Sequence, residues 1–323
     1  MKPYIDQVRE ARNTISGVAI ETPLCKSQVL TEVMGFEVYL KLENLQVTGA
    51  FKIRGCYNKM SRLDRRGKGI IAASSGSHGI ASALAAKLLG IPATVVMPAA
   101  SPEIKRKRVK GYGANLVIHG ETYDDAYDLA KEMAAAEGKV FVPSFDDIDI
   151  IIGQGTIALE ILDALPDADF IGCPVGGGGL YAGMLLAVKA TRPDLPVWGV
   201  QAEGAASGAS SMASGRIERL DRIGTIADAI AVKSPGRVPF EIIKEKGDGI
   251  AVTTDARILQ ATGQLALWAK VLAEPAGAAA LAVDWPAVTG RTPRKAVFVV
   301  SGGNISRAAL ATALESCEEY PSM

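Results

Sequence analysis

The stretch GIIAASSGSHGIASALAAKLLGIPATVVMP, residues 69–98, decides the fold. Gly69–Ser74 is a short apolar run suited to a strand. Ser77–Leu89 is rich in Ala and Leu and reads as a helix. Ile91–Pro98 is β-rich again. Outward from it the alternation continues, with a basic helix at Pro102–Lys110, a strand at Asn115–His119, a helix at Tyr123–Ala136 and a strand at Lys139–Val142. It resumes with a strand at Asp169–Val175, a helix at Leu180–Ala190 and strands at Val197–Ala202 and Lys295–Val300. Strands that alternate with helices imply a parallel sheet with right-handed crossovers, an α/β fold. The segment 203–240 is rich in Gly, Ser and Ala without clear periodicity. It is expected to be a long loop with short helices beside the functional site.

Composition supports this class. The chain has 323 residues, enough for two domains or one large α/β unit. Hydrophobic residues make up 48% and aromatics only 6%, an aliphatic balance suited to buried parallel strands under helices. Lys+Arg and Asp+Glu both number 35, so no basic excess points to nucleic acid or an anionic membrane. The N-terminus MKPYIDQVREARNTI is charged and amphipathic, unlike a secretory leader. No apolar run reaches the roughly 18 residues of a membrane span. A cytoplasmic protein is expected. Cys25, Cys56, Cys173 and Cys317 lie far apart with no CxxC pair, so free cysteines in or near a core are expected. His78 and His119 are the only histidines, which disfavours a histidine-rich metal site.

Three junctions carry chemistry. Gly176-Gly177-Gly178-Gly179-Leu180 joins an apolar strand to a helix. Successive amides there, together with a helix N-terminus, make a socket for a phosphate dianion. No lysine follows to reach a β- or γ-phosphate, so the socket suits one terminal phosphate. Ser74-Ser75-Gly76-Ser77-His78-Gly79 has the same placement and suits a carboxylate, although serine is also an ordinary helix cap. Ser301-Gly302-Gly303-Asn304 closes a strong strand, where open α/β sheets bind ligands; a plain glycine turn is the alternative. In Thr48–Gly55, TGAFKIRG, Lys52 is either a solvated helix-surface charge or an amine held in an apolar place. Phe51 and Ile53 would desolvate it, and Arg54 would add a like charge.

TGAFKIRG, SSGSHG, GQGTIALE (153–160), GGGGL and SGGN, in this order, resemble the fold-type II pyridoxal-phosphate enzymes, and within them the threonine/serine dehydratases and serine racemase. The likeness runs from ETPL (21–24) to SGGN. It implies two parallel-type open twisted sheets flanked by helices, like the tryptophan synthase β chain. It also implies a small α/β domain, residues 48–145, inserted in a larger cofactor-binding domain of 1–47 and 146–323. By the resemblance, Lys52 forms the Schiff base with pyridoxal 5'-phosphate and Phe51 packs beside its ring. Gly176, Gly177, Gly178, Gly179 and Leu180 hold the phosphate, and Ser301 hydrogen-bonds the pyridine nitrogen. Ser74, Ser75, Gly76 and His78 receive the substrate carboxylate.

The implied reaction is β-elimination from a hydroxy amino acid such as threonine, serine or 3-hydroxyaspartate, giving a 2-oxo acid and ammonia. Departures from the family pattern are Ser77, where an asparagine meets the ring hydroxyl, and Ala229 in TIADA (225–229), where glycine is usual. Ser75 stands where dehydratases often carry alanine and serine racemases carry the second acid/base, so an amino-acid racemase using Lys52 and Ser75 is the alternative. Glu203 matches one acidic residue of a divalent-cation site, but Ala209 stands near the place of the other. The resemblance further implies a homodimer. With no regulatory domain after SGGN, it implies a short catabolic dehydratase.

Overall fold

The computed structural model of the protein describes residues 2–64 and 67–320. Among the described residues ten strands form two sheets: β1 (Leu24–Lys26), β2 (Glu37–Lys41), β3 (Ile70–Ala73), β4 (Ala93–Met97), β5 (Asn115–Ile118), β6 (Val140–Phe141), β7 (Phe170–Pro174), β8 (Val197–Ala202), β9 (Ile250–Thr253) and β10 (Lys295–Val299). The larger sheet has the order β1-β2-β10-β7-β8-β9 and the smaller β5-β4-β3-β6. Every pairing is parallel except β1 with β2 at one edge. The smaller sheet uses only chain between Ile70 and Phe141, and strands of the larger sheet come before and after it.

The central strands read as apolar runs because both of their faces are covered. All four residues of β3 and all five of β7 are buried. The helix Ser77–Leu89 matches its expected bounds, as does β8. The segment 203–240 contains the helix Ser207–Ser214 and two single 3₁₀ turns before the helix Arg237–Lys246 begins. The strands β1, β2 and β9 are additions to the sequence reading. Cys56 and Cys173 are buried as expected, whereas Cys25 is exposed on β1.

Three helices lock the site together through glycine. They are Lys52–Ser61, Ile148–Ala164 and Gly179–Thr191. A Cβ on Gly153 would stand 2.6 Å from Gly55 Cα, and one on Gly183 would stand 2.3 Å from Ile151 O. Backbone therefore meets backbone along this seam, which only glycine permits. This explains the glycines of GQGTIALE. Two of these helices begin at Lys52 and at the glycine loop, so the seam fixes one against the other.

Behind Lys52 lies a buried ion network. Arg54 donates through Nε and Nη2 to both oxygens of Glu43 (2.9 and 2.8 Å), and to Glu160 Oε1 (2.5 Å) and Oε2 (2.9 Å). Lys41 Nζ donates to Glu160 Oε2 at 2.6 Å. All four residues are almost completely buried. Burial opposes ionisation of Glu43, but Arg54 outweighs it and holds the carboxyl below its ordinary range.

Candidate active site

One cavity gathers the loops at the C-terminal ends of the parallel strands. Its wall includes Ser74–His78 after β3, Gly176–Leu180 after β7 and Ser301 after β10, with Phe51 and Lys52 beside them. This is the crevice where open α/β sheets take ligands. Every cofactor- and substrate-binding position expected from the sequence lines it.

Lys52 is not the surface lysine of the bland reading. It opens the helix Lys52–Ser61, where the free N-terminal amides also disfavour a cation. Its Nζ donates to Ser144 O at 3.2 Å and lies 4.9 Å from the centre of the Phe51 ring. Burial pushes its pKa down to about 8, against a smaller upward pull from Cys56 and Glu274. Arg54 plays no part in this, contrary to expectation, because it faces away into the buried network. The backbone N–H of Phe51 donates to Ser301 O at 3.2 Å, tying the lysine to the end of β10.

The glycine loop is a cup with full walls. A Cβ on Gly177 would lie 2.4 Å from the Phe145 ring, and Gly178 sits at φ +95°. The helix begins at Gly179, so its first amides have no helical acceptor. The cup therefore presents main-chain donors and excludes side chains.

The serine loop divides its labour. Ser74 Oγ accepts from the N–H groups of Gly76 (2.9 Å) and Gly79 (2.8 Å) and donates to Gly76 O (3.1 Å). Its hydroxyl is spent on shaping the loop, which leaves Ser75 and the loop amides to meet a ligand. Ser77 Oγ accepts from Asn304 Nδ2 at 3.0 Å, and the Asn304 oxygen accepts from Arg108 (2.5 Å). The SGGN asparagine thus supports the loop after β3, and Ser77 keeps its own proton to donate.

His78 is buried with both nitrogens engaged. Nε2 donates to Val142 O at 3.0 Å, so Nδ1 is the acceptor facing Cys56 Sγ at 3.3 Å. It lines the cavity on the serine loop as expected, with both ring nitrogens engaged in supporting that loop. Burial, with a smaller contribution from Lys52, pushes its pKa down to about 3. The unfolded chain binds this proton below its ordinary value of 6.5 and the fold does not, so His78 costs stability as pH falls through that window. Buried Glu274 acts oppositely. Its pKa is raised from 4.5 to about 7, so the fold keeps a proton that the unfolded chain gives up. The two nearly cancel in the apoprotein. His78→Gln is expected to unmask Glu274, gaining up to about 1.4 kcal/mol per pH unit between pH 7 and 5 relative to the wild-type slope. Urea midpoints across that range check it, and parallel profiles for the two proteins would refute it.

The structure also brings in residues that the sequence reading missed. Lys105, Tyr123, Ser144, Phe145, Asp228 and Glu274 all line the cavity. Lys105 Nζ pairs with Asp228 at 3.0 Å. Glu274 Oε2 is buried without a hydrogen-bond partner. Asp228 lay within the TIADA stretch noted for Ala229, which also lines the cavity. Glu274 is a single acid in the apolar run AEPAGAAALAV, a signal that was there to read. Glu203 is exposed and stands outside the cavity wall. Among the described residues no three His, Cys, Asp or Glu side chains cluster to hold a metal. The structure therefore does not bring Glu203 into the site.

A family model described as pyridoxal-phosphate dependent enzyme matches residues 15–302. The chain belongs to this family of pyridoxal-phosphate-dependent enzymes. It is 44% identical to an L-threonine ammonia-lyase of Thermotoga maritima over 93% of this chain and 75% of the relative. It is 35% identical to an L-threo-3-hydroxyaspartate ammonia-lyase of Saccharomyces cerevisiae over 99% of both. Among solved structures, maize serine racemase superposes with a TM-score of 0.91 at 33% identity, covering 98% of each chain. The architecture is that of the fold-type II members, and the enzyme is of the lyase type.

The residues present fit pyridoxal phosphate. The cup of Gly176–Gly179 offers main-chain donors to a phosphate, and a Cβ at Gly177 would run into the Phe145 ring. An amine of lowered basicity stands in the same cavity. Ser301, a neutral hydroxyl, stands where β10 ends.

Proposed function

We propose that this enzyme eliminates water from a β-hydroxy amino acid, giving a 2-oxo acid and ammonia. The substrate class is threonine, serine or a related 3-hydroxy amino acid. The observation that carries this reading is the partly desolvated amine of Lys52, in one cavity with the glycine cup, the serine loop and Ser301. The named relatives support the substrate class, since both act as ammonia-lyases on hydroxy amino acids.

Bound pyridoxal phosphate supplies a carbonyl for amines and a sink for the electron pair released at Cα. In this reading Lys52 would hold the cofactor, and its amine would take the Cα proton of the substrate. Gly176–Gly179 and Leu180 hold the phosphate. Ser301 would donate a hydrogen bond from its neutral hydroxyl to the pyridine nitrogen. Phe51 packs at the ring, and Ser77 serves its hydroxyl. Ser75 and Gly76 orient the substrate carboxylate. Residues 48–145 form the small domain of this reading, closing over the cavity to exclude water. A homodimer in the cytoplasm completes it. Among the described residues, no helix is long and apolar enough to cross a membrane.

A second reading rests on Ser75, which lines the cavity with Lys52 and allows a two-base racemase. One experiment separates the two. Cofactor-loaded enzyme is given a panel of β-hydroxy amino acids, both enantiomers and both diastereomers. Product 2-oxo acid and ammonia are measured beside the chirality of recovered substrate. The expected result is 2-oxo acid from at least one substrate, outpacing inversion. Inversion without 2-oxo acid favours the racemase, and neither product from any substrate ends both readings.

A further inference from the structure

The cavity holds an acid that the roles above leave unused. Glu274 is 3% exposed. Its N–H donates to Gly302 O at 3.0 Å, anchoring it beside the end of β10. Its Oε2 meets no partner. An unpaired buried carboxyl oxygen is costly, and such groups persist chiefly at functional sites. The charged groups facing it come from three elements. Lys52 opens the helix Lys52–Ser61, Lys105 lies on the helix Glu103–Gly111, and Asp228 opens the turn Asp228–Ile230. Lys105 is bound to Asp228, so neither cation is paired with Glu274. Burial raises the Glu274 pKa to about 7, with Lys105 pulling down, Asp228 pushing up and Lys52 pulling down. The carboxyl is thus substantially protonated at neutral pH.

Loss of a β-hydroxyl needs an acid, because hydroxide is a poor leaving group. Four other protic side chains of the wall are less suited. Ser74 is saturated by its own loop. His78 stays neutral down to about pH 3 and both its nitrogens are engaged. Burial pushes Tyr123 up to about 12, and its hydroxyl shares a hydrogen bond with Ser144. Asp228 is half exposed and holds Lys105.

We propose that Glu274 is the acid that protonates the departing β-hydroxyl; this rests on the ammonia-lyase reading above. The Cα–H bond breaks and its proton passes to the Lys52 amine. The electron pair becomes the Cα=Cβ bond as Cβ–O breaks. The Glu274 proton goes to the departing oxygen, which leaves as water. The Lys52 ammonium then returns a proton to the Glu274 carboxylate, restoring both groups.

The test compares leaving groups. Cofactor-loaded wild type and Glu274→Gln are assayed on L-serine or L-threonine and on β-chloro-L-alanine, whose chloride departs without a proton. Glu274→Gln is expected to lose about 10²–10⁴-fold in kcat on the hydroxy substrate and only a few-fold on the chloro substrate. Wild type needs no variant to be informative. Its kcat on the hydroxy substrate should fall as pH rises through the titration of this acid, with no such limb for the chloro substrate. A readout without turnover is the protonated-carboxyl infrared band of the apoprotein. It should titrate near the value of about 7 and vanish in Glu274→Gln. Equal losses on both substrates, no loss on the hydroxy substrate, or identical wild-type pH profiles overturn the assignment. Wild type inert toward both substrates instead ends the ammonia-lyase reading, and this proposal with it.

Discussion

Lys52→Ala, purified in the presence of pyridoxal phosphate, is expected to lack the visible absorption of a cofactor held as a Schiff base and to turn over at least about 10³-fold more slowly. The reason lies in its environment. Burial pushes the Lys52 pKa down to about 8, so at neutral pH a usable fraction of the amine is unprotonated. Holding a desolvated ammonium costs the apoprotein free energy, and a change from the ordinary 10.5 to about 8 corresponds to roughly 3 kcal/mol below pH 8. The alanine variant is relieved of that cost. Its apoprotein should therefore melt no lower than wild type, which separates lost chemistry from a lost fold. Borohydride reduction followed by peptide mass analysis locates the adduct directly. Retention of a reduced adduct in Lys52→Ala would mean that another lysine carries the cofactor.

Arg54→Met should cost far more stability than any surface substitution, about 3–5 kcal/mol. Arg54 makes five hydrogen-bonded contacts to Glu43, Glu160 and Thr156 within a region closed to water. Methionine fills much of the volume but leaves two buried carboxylates with only Lys41 to offset them. Those carboxyls will then prefer to be neutral. The deficit should accordingly be largest near pH 8 and shrink as pH falls toward 5 and they take up protons. Urea unfolding of wild type and variant at several pH values checks both the size and the direction. A deficit below about 1 kcal/mol, or one that grows on acidification, would show that the network is not the anchor described above.

Much of the fold was legible because its central strands are buried on both faces and so are continuously apolar. β3, β4, β7, β8 and β10 announce themselves in this way. β1 and β2 do not. β1 has three residues, none of them buried. β2 is bounded by Glu37 and Lys41, and Lys41 is buried only because Glu160, 119 positions away, compensates its charge. No local pattern reports a partner that distant. The glycine cup and the serine loop were readable because each needs a particular residue type at a strand-to-helix junction. Arg54 was misjudged although the rule was at hand: residues two apart on a helix do not face each other. Lys105, Phe145, Asp228 and Glu274 reach the cavity from separate elements, and their convergence belongs to the tertiary fold.

The glycine seam has a consequence for how such an enzyme can diversify. Its contacts are main chain against main chain, so no side chain there is available to drift. The spacing between the Lys52 amine and the glycine cup is inherited intact however the rest of the sequence changes. Ser75, Ser77 and Ala229 sit off that seam, on the loop after β3, at the start of the helix Ser77–Leu89 and in the turn Asp228–Ile230. Substrate preference can therefore wander among descendants while the anchorage stays fixed.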